Sequence, residues 1–169
     1  MPDQHTLAET ERVTTERLSH LELDFAAAQG VLSIYRAANA ARAYLTATVL
    51  RPHDLTWTGF LVLWTIWIWE RMETRRIAES VGISKATLTG VTKTLMDRGW
   101  VRRIQSTEDR RLVSLELTPS GKALLDRLYP EFNRAESVVV SSFAPDELAE
   151  MTESLRRFVT QVEGLEPSA

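Results

Sequence analysis

Between residues 75 and 117 the sequence leaves the backbone few choices. Residues 75–81 have the length and apolar spacing of a short helix, with Ile77 and Val81 one turn apart. Gly82 suits the positive φ that a tight helix-helix turn needs. Ser84 is a good N-cap for a second helix over 85–98, and Gly99 terminates it. Residues 100–105 and 112–117 are β-branched and aliphatic stretches joined by polar 106–111, the pattern of a hairpin with a longer loop. A short helix, a turn, a second helix and a hairpin therefore follow in immediate succession.

The flanks read as helix. Residues 1–19 are polar with scattered apolar positions and form an arm or an extra helix. Residues 21–49 are rich in Ala, lack Pro and place Leu21, Phe25, Ala28, Leu32 and Tyr35 at three- and four-residue steps, which predicts one long helix. Pro52 breaks it. Thr56 caps a helix over 57–71 that is apolar nearly all round and must be enclosed on several sides. Thr118 and Pro119 start a helix that runs towards Phe143 and is expected to bend at Pro130. Pro145 opens a last helix over 146–162.

Composition narrows the chemistry. There is no cysteine, which excludes disulfides, thiolate metal sites and thiol nucleophiles. The first eleven residues have neither a basic start nor an apolar core, so no signal peptide is expected. The longest nearly unbroken apolar run, 60–69, is too short to span a bilayer. The histidines His5, His20 and His53 lie far apart with no partner at ligand spacing, so no metal and no cofactor are expected. No Gly-rich phosphate loop or nucleophile elbow appears, and no residues suggest an enzyme. The net charge of −3 hides an asymmetry. Residues 71–111 hold ten Lys and Arg against five Asp and Glu, and the remainder holds ten against eighteen. A basic segment inside an acidic chain suggests a local polyanion-binding face; the alternative is a solvated helical surface.

Helix-turn-helix units lay the second helix in the DNA major groove. On residues 85–95, Leu88, Val91 and Leu95 fall on one face and are expected to pack against Ile77, Val81 and Ile83. The other face offers Ser84, Lys85, Thr87, Thr89 and Lys93 to DNA. Lys can meet guanine acceptors or phosphate, and a Thr methyl can meet the thymine methyl. Arg102 and Arg103 precede the hairpin tip and suit the flanking backbone, while Asp109, Arg110 and Arg111 sit at or just after the tip. Arginine on a projecting ribbon can enter a narrow minor groove. Asp109 is read as orienting Arg111 through a charge-assisted hydrogen bond. The alternative is an ordinary β-turn with a surface salt bridge.

Four stretches carry a resemblance: Leu55-Thr56; Arg76-Ile77-Ala78-Glu79-Ser80-Val81-Gly82-Ile83-Ser84; Leu95-Met96-Asp97-Arg98-Gly99-Trp100-Val101-Arg102-Arg103; and Asp109-Arg110-Arg111-Leu112-Val113-Ser114-Leu115-Glu116-Leu117-Thr118-Pro119-Ser120-Gly121. Together they resemble the MarR family of bacterial transcription regulators over roughly residues 24–162. The resemblance implies a mainly α fold with a small β-hairpin wing, a winged helix-turn-helix joined to a helical dimerisation region. It implies an obligate homodimer, a palindromic double-stranded DNA operator, and Arg111 as the minor-groove arginine with Asp109 as its partner. It divides the chain into an arm or extra helix (1–19), a dimerisation helix (20–54), the DNA-binding lobe (55–118), C-terminal dimerisation helices (119–163) and a tail (164–169). Gly90 stands where many members carry a basic residue, and Ala144 where a Ser or Thr usually caps the last helix, so that end is expected to fray.

Physics also favours a dimer. Leu21, Phe25, Leu32, Leu124, Leu128, Phe132, Val138, Phe143, Leu155, Phe158 and Val162 exceed what three peripheral helices can hide alone. Trp57, Phe60 and Trp64 step along one helix face. They read either as aromatic core packing or as the wall of a ligand pocket, with Tyr35, Arg36, Arg42, Arg51 and His53 as polar anchors. Family members often bind small aromatic acids or phenols, and the resemblance implies such a ligand here. The resulting expectation is a cytoplasmic homodimeric repressor released by an aromatic ligand, with no membrane contact. The alternative is a winged-helix protein-interaction module without sequence-specific DNA binding, suggested by the acidic overall balance and Gly90.

Overall fold

A computed structural model describes residues 5–105 and 113–165. The chain divides into two compact units, Met1–Tyr44 and Leu45–Ala169. In the first, of the two readings of the N-terminal stretch, arm or extra helix, the structure has the helix, α1 (Leu7–Leu18), where Thr6 accepts from the Glu9 amide at 3.1 Å. No residue of α1 is buried. The long helix expected from residue 21 begins later, as α2 (Phe25–Leu45). Asp24 fixes that start by accepting from the Ala27 amide at 2.9 Å.

The second unit opens with a π-helical turn (Thr46–Leu50) and a 3₁₀ turn (Arg51–His53) around Pro52, and Asp54 at φ 51° completes the reversal. Helix α3 (Trp57–Trp69) then enters the core, capped by Thr56, which accepts from the Gly59 amide at 3.0 Å. Val62, Leu63 and Ile66 are fully enclosed and Phe60 nearly so. Each such side chain stabilises the fold by about 1.5–3 kcal/mol. The sequence expectation carried α3 to Arg71. Instead Glu70, at φ 59°, stops the helix, and residues 71–73 form strand β1 (Arg71–Glu73). Nothing in Arg-Met-Glu favours a strand. It forms because a partner strand offers an open edge.

Helix α4 (Thr74–Val81) ends at Gly82, whose φ of 69° lets its amide reach the Ala78 and Glu79 carbonyls. Helix α5 (Lys85–Asp97) starts at Ser84, which accepts from the Thr87 amide at 3.1 Å, and stops before Gly99 at φ 69°. Ile77, Leu88 and Leu95 are buried as expected, with Val81, Ile83 and Val91 half-buried against them. Strands β2 (Val101–Gln105) and β3 (Val113–Leu117) pair antiparallel, Val101 opposite Leu117. Strand β1 pairs with β3 on its other side, Arg71 opposite Glu116, so the sheet order is β1-β3-β2.

Helix α6 (Pro119–Val139) starts at Thr118, runs on through Pro130 and ends four residues before Phe143. The Thr-Pro-Ser-Gly segment ties its start to the end of α5. The Thr118 and Ser120 hydroxyls donate to the Gly99 carbonyl at 2.5 and 2.6 Å, and the Thr118 amide donates to the Trp100 carbonyl at 3.0 Å. Gly121 is obligatory there, since a Cβ would sit 2.1 Å from the Trp100 carbonyl oxygen. Leu124, Leu128 and Phe132 do not wait for a partner, because this unit buries them itself. Helix α7 (Pro145–Glu163) follows. Ala144 has no capping oxygen, but the Glu147 carboxylate accepts from the Ala144 amide at 2.8 Å, so this end is held rather than frayed.

Candidate nucleic-acid interface

The outer face of α5 is polar and open. Ser84, Lys85, Thr87, Thr89 and Lys93 are all exposed. Their hydroxyls are already organised: Ser84 Oγ and Thr87 Oγ1 share a 2.8 Å hydrogen bond, and Thr89 Oγ1 donates to the Lys85 carbonyl at 2.9 Å. Lys85, Thr89 and Lys93, one turn apart, border a cleft of about 450 Å³. Its far wall comes from Thr74, Arg103 and Val113, and its floor from Leu88, Met96 and Leu115. Thr92, also on this cleft, is buried with a hydroxyl that has no hydrogen-bond partner among the described residues.

The cations nearby are not equivalent. Lys85, Lys93, Arg76 and Arg103 are exposed and have no carboxylate partner among the described residues. Arg102 lies opposite Glu116 in the sheet and forms an ion pair with it. Arg75 is held by Glu79 at 2.8 Å, a hydrogen bond that raises its pKa further. The structure thus brings Lys85, Thr89, Lys93 and Arg103 around one cleft, puts Ser84 and Thr87 at its helical end and commits Arg102 to a carboxylate. The hairpin-tip residues Asp109, Arg110 and Arg111 lie outside the described residues. Sequence reasoning missed Thr74, which faces the same cleft from the start of α4. It also missed Arg76, an exposed cation on α4 whose membership of the basic segment was the available signal.

The aromatic residues of α3 pack inward. The Phe60 ring stacks on Phe132 at 4.3 Å, Trp57 lies 6.2 Å from Phe132, and Trp67 meets Tyr129 edge-on at 5.5 Å. Trp57 and Trp64 are half-buried against the same core. His53 points its Nε2 at Glu131, 3.8 Å away, and its carbonyl accepts from Arg98 at 3.3 Å. In the N-terminal unit, Tyr35 is exposed, Arg42 donates to the Asn39 side chain at 3.0 Å and Arg36 to the His5 carbonyl at 3.4 Å. Arg51 is exposed in the second unit. Among the described residues, no three His, Asp or Glu side chains are grouped to hold a metal ion. No described helix is long and apolar enough to cross a membrane.

Comparison with known proteins sets this geometry in context. A family model described as MarR family matches residues 55–113, the stretch from the cap of α3 to the start of β3. The helix-turn-helix-type transcriptional regulator YwaE of Bacillus subtilis is 36% identical over 155 residues, covering 92% of this chain and 88% of that one. The PcaV transcriptional regulator of Streptomyces coelicolor, solved in complex with its natural ligand, superposes with a TM-score of 0.69 at 25% identity, over 83% of this chain and 97% of that one. A mutant MarR of E. coli complexed with operator DNA shares the fold, with a TM-score of 0.70 at 23% identity over 76% of this chain and 91% of that one.

Proposed function

The chain belongs to the MarR family of DNA-binding transcriptional regulators, and from that premise we propose that it acts as a homodimer on a palindromic operator, repressing transcription until a small aromatic or phenolic ligand releases it. The observation that carries this reading is the cleft between α5 and the sheet, bordered by Lys85, Lys93 and Arg103, cations with no described carboxylate partner. Ser84, Lys85, Thr87, Thr89 and Lys93 face bases or phosphates. Arg103 grips the flanking backbone, with Arg102 beside it, and Arg110 and Arg111 serve the wing with Asp109 as orienting partner.

Dimerisation is supported by Leu155, Phe158, Val159 and Val162 on α7, which recur at helical spacing and stay 37–50% exposed in the single chain. Val138 and Phe143, before α7, are exposed too. Contiguous apolar surface of this kind marks an interface. A two-fold dimer sets its two reading helices ~34–36 Å apart, one DNA turn. The effector reading rests on the aromatic residues Trp57, Phe60 and Trp64 of α3, with His53 of the same unit as a polar anchor, and on the ligand-bound PcaV relative. Such a protein works in the cytoplasm.

Sedimentation equilibrium and a salt titration of duplex binding test the proposal. The expected results are a dimer and an affinity that falls with a slope of ~−0.9 per phosphate neutralised on the log-log plot. A monomer, or a flat salt response on genomic fragments, overturns it. A thermal-shift series of aromatic acids tests the effector, and no shift from any of them leaves the aromatic residues as core packing alone.

A further inference from the structure

Thr89 sits in the middle of the reading face of α5, one turn from Lys85 and one turn from Lys93. A threonine hydroxyl has a single proton. That of Thr89 is given to the Lys85 carbonyl at 2.9 Å. The side chain therefore has no proton for guanine O6 or N7, or for thymine O4. With the hydroxyl proton committed to the helix backbone, the methyl is the remaining contact group of an exposed side chain. Its neighbour Gly90 has open space where a side chain would stand, so nothing on that flank shields the methyl or holds the helix away from a base pair. Thr87 differs: its hydroxyl is paired with Ser84, and the pair keeps one proton to donate.

In the major groove, thymine is distinguished by its C5-methyl group, which apolar side-chain atoms recognise by contact. We propose that Thr89 is a specificity-determining residue that reads a thymine methyl in each operator half-site, while Lys85 and Lys93 supply the donors to guanine or phosphate. This rests on the DNA-binding reading above and adds the identity of a base to it.

The test starts from a duplex selected by the full-length protein from a randomised library. Thymines are then replaced one at a time by deoxyuridine, which removes only the methyl, and affinity is measured by fluorescence anisotropy at fixed salt. The expected result is one position per half-site where the loss is about threefold to fivefold, the worth of one buried methyl, and close to neutral results elsewhere. The variant T89V, which keeps a methyl and lacks the hydroxyl, retains both the affinity and the uracil penalty. The variant T89S, which keeps the hydroxyl and lacks the methyl, binds the thymine duplex more weakly and shows no uracil penalty at that position. A selected duplex with no uracil-sensitive position, or a penalty that survives in T89S, overturns the assignment and leaves DNA binding intact. Failure to select any duplex above bulk DNA overturns the operator reading and this inference with it.

Discussion

Adding one methyl group at Gly121 should cripple the fold, although alanine is the better helix former. The Cβ of Gly121→Ala would lie 2.1 Å from the Trp100 carbonyl oxygen and 2.9 Å from its carbon, and both are backbone atoms that cannot swing away. Ordinary contact begins near 3.4 Å, so α6 and the start of β2 must separate by about 1.3 Å. Overpacking of that kind costs ~1–3 kcal/mol. The separation also stretches the bonds from Thr118 and Ser120 to Gly99 and from the Thr118 amide to Trp100. Each is worth ~1 kcal/mol. Against this stands a helix-propensity gain of at most ~1 kcal/mol. The net loss is ~2–4 kcal/mol, a drop in melting temperature of roughly 4–16 °C for a domain of this size. Gly90→Ala is the control, since its Cβ meets nothing within 4 Å. That variant should gain ~0.5–1 kcal/mol from propensity alone. Thermal melts of both, at one protein concentration, decide the matter. If Gly121→Ala melts within 2 °C of the parent, the reasoning about the α5–α6 junction is wrong.

Arg103→Ala should weaken duplex binding about equally across sequences and reduce the salt slope by about 1, while Arg102→Ala should do less because Glu116 already holds that charge; equal losses in anisotropy titrations would refute the distinction. Ala144→Ser should stabilise the protein by ~1 kcal/mol in urea melts, since it supplies the missing oxygen opposite the Glu147 contact. Glu70→Gly should also stabilise, by about 1 kcal/mol, because a side chain at φ 59° is strained; a lower urea midpoint would show that the Glu70 side chain contributes more than its strain costs.

The helix-turn-helix was legible because its signals are local. Ser84, Gly82 and Gly99 act within four residues of where they stand, and the apolar spacing of Ile77, Leu88 and Leu95 reports burial directly. What escaped was decided at a distance. Strand β1 exists only because β3 has a free edge, and the late start of α2 depends on Asp24 rather than on the periodicity of Leu21. Leu124, Leu128 and Phe132 read as surplus apolar surface, because periodicity gives the face of a helix and not what lies against it. The basic segment was visible as composition. That Glu116 and Glu79 engage Arg102 and Arg75, while Arg103 has no carboxylate partner among the described residues, was not, since cross-strand register and helix geometry set those pairs.

The sheet is wound out of chain order, with the last strand in the middle, and this constrains how the polypeptide is assembled. A three-residue ribbon such as β1 has no stability of its own. It can zip up only after the central strand has arrived from 45 positions further along, opposite Arg71. That long closure places completion of the sheet late, after the intervening helices have docked. What forms last opens first, so amide protons of Arg71–Glu73 should exchange with deuterium through local peeling of the ribbon, ahead of those in the buried stretch of α3, and this early exchange reports the final step of assembly run in reverse.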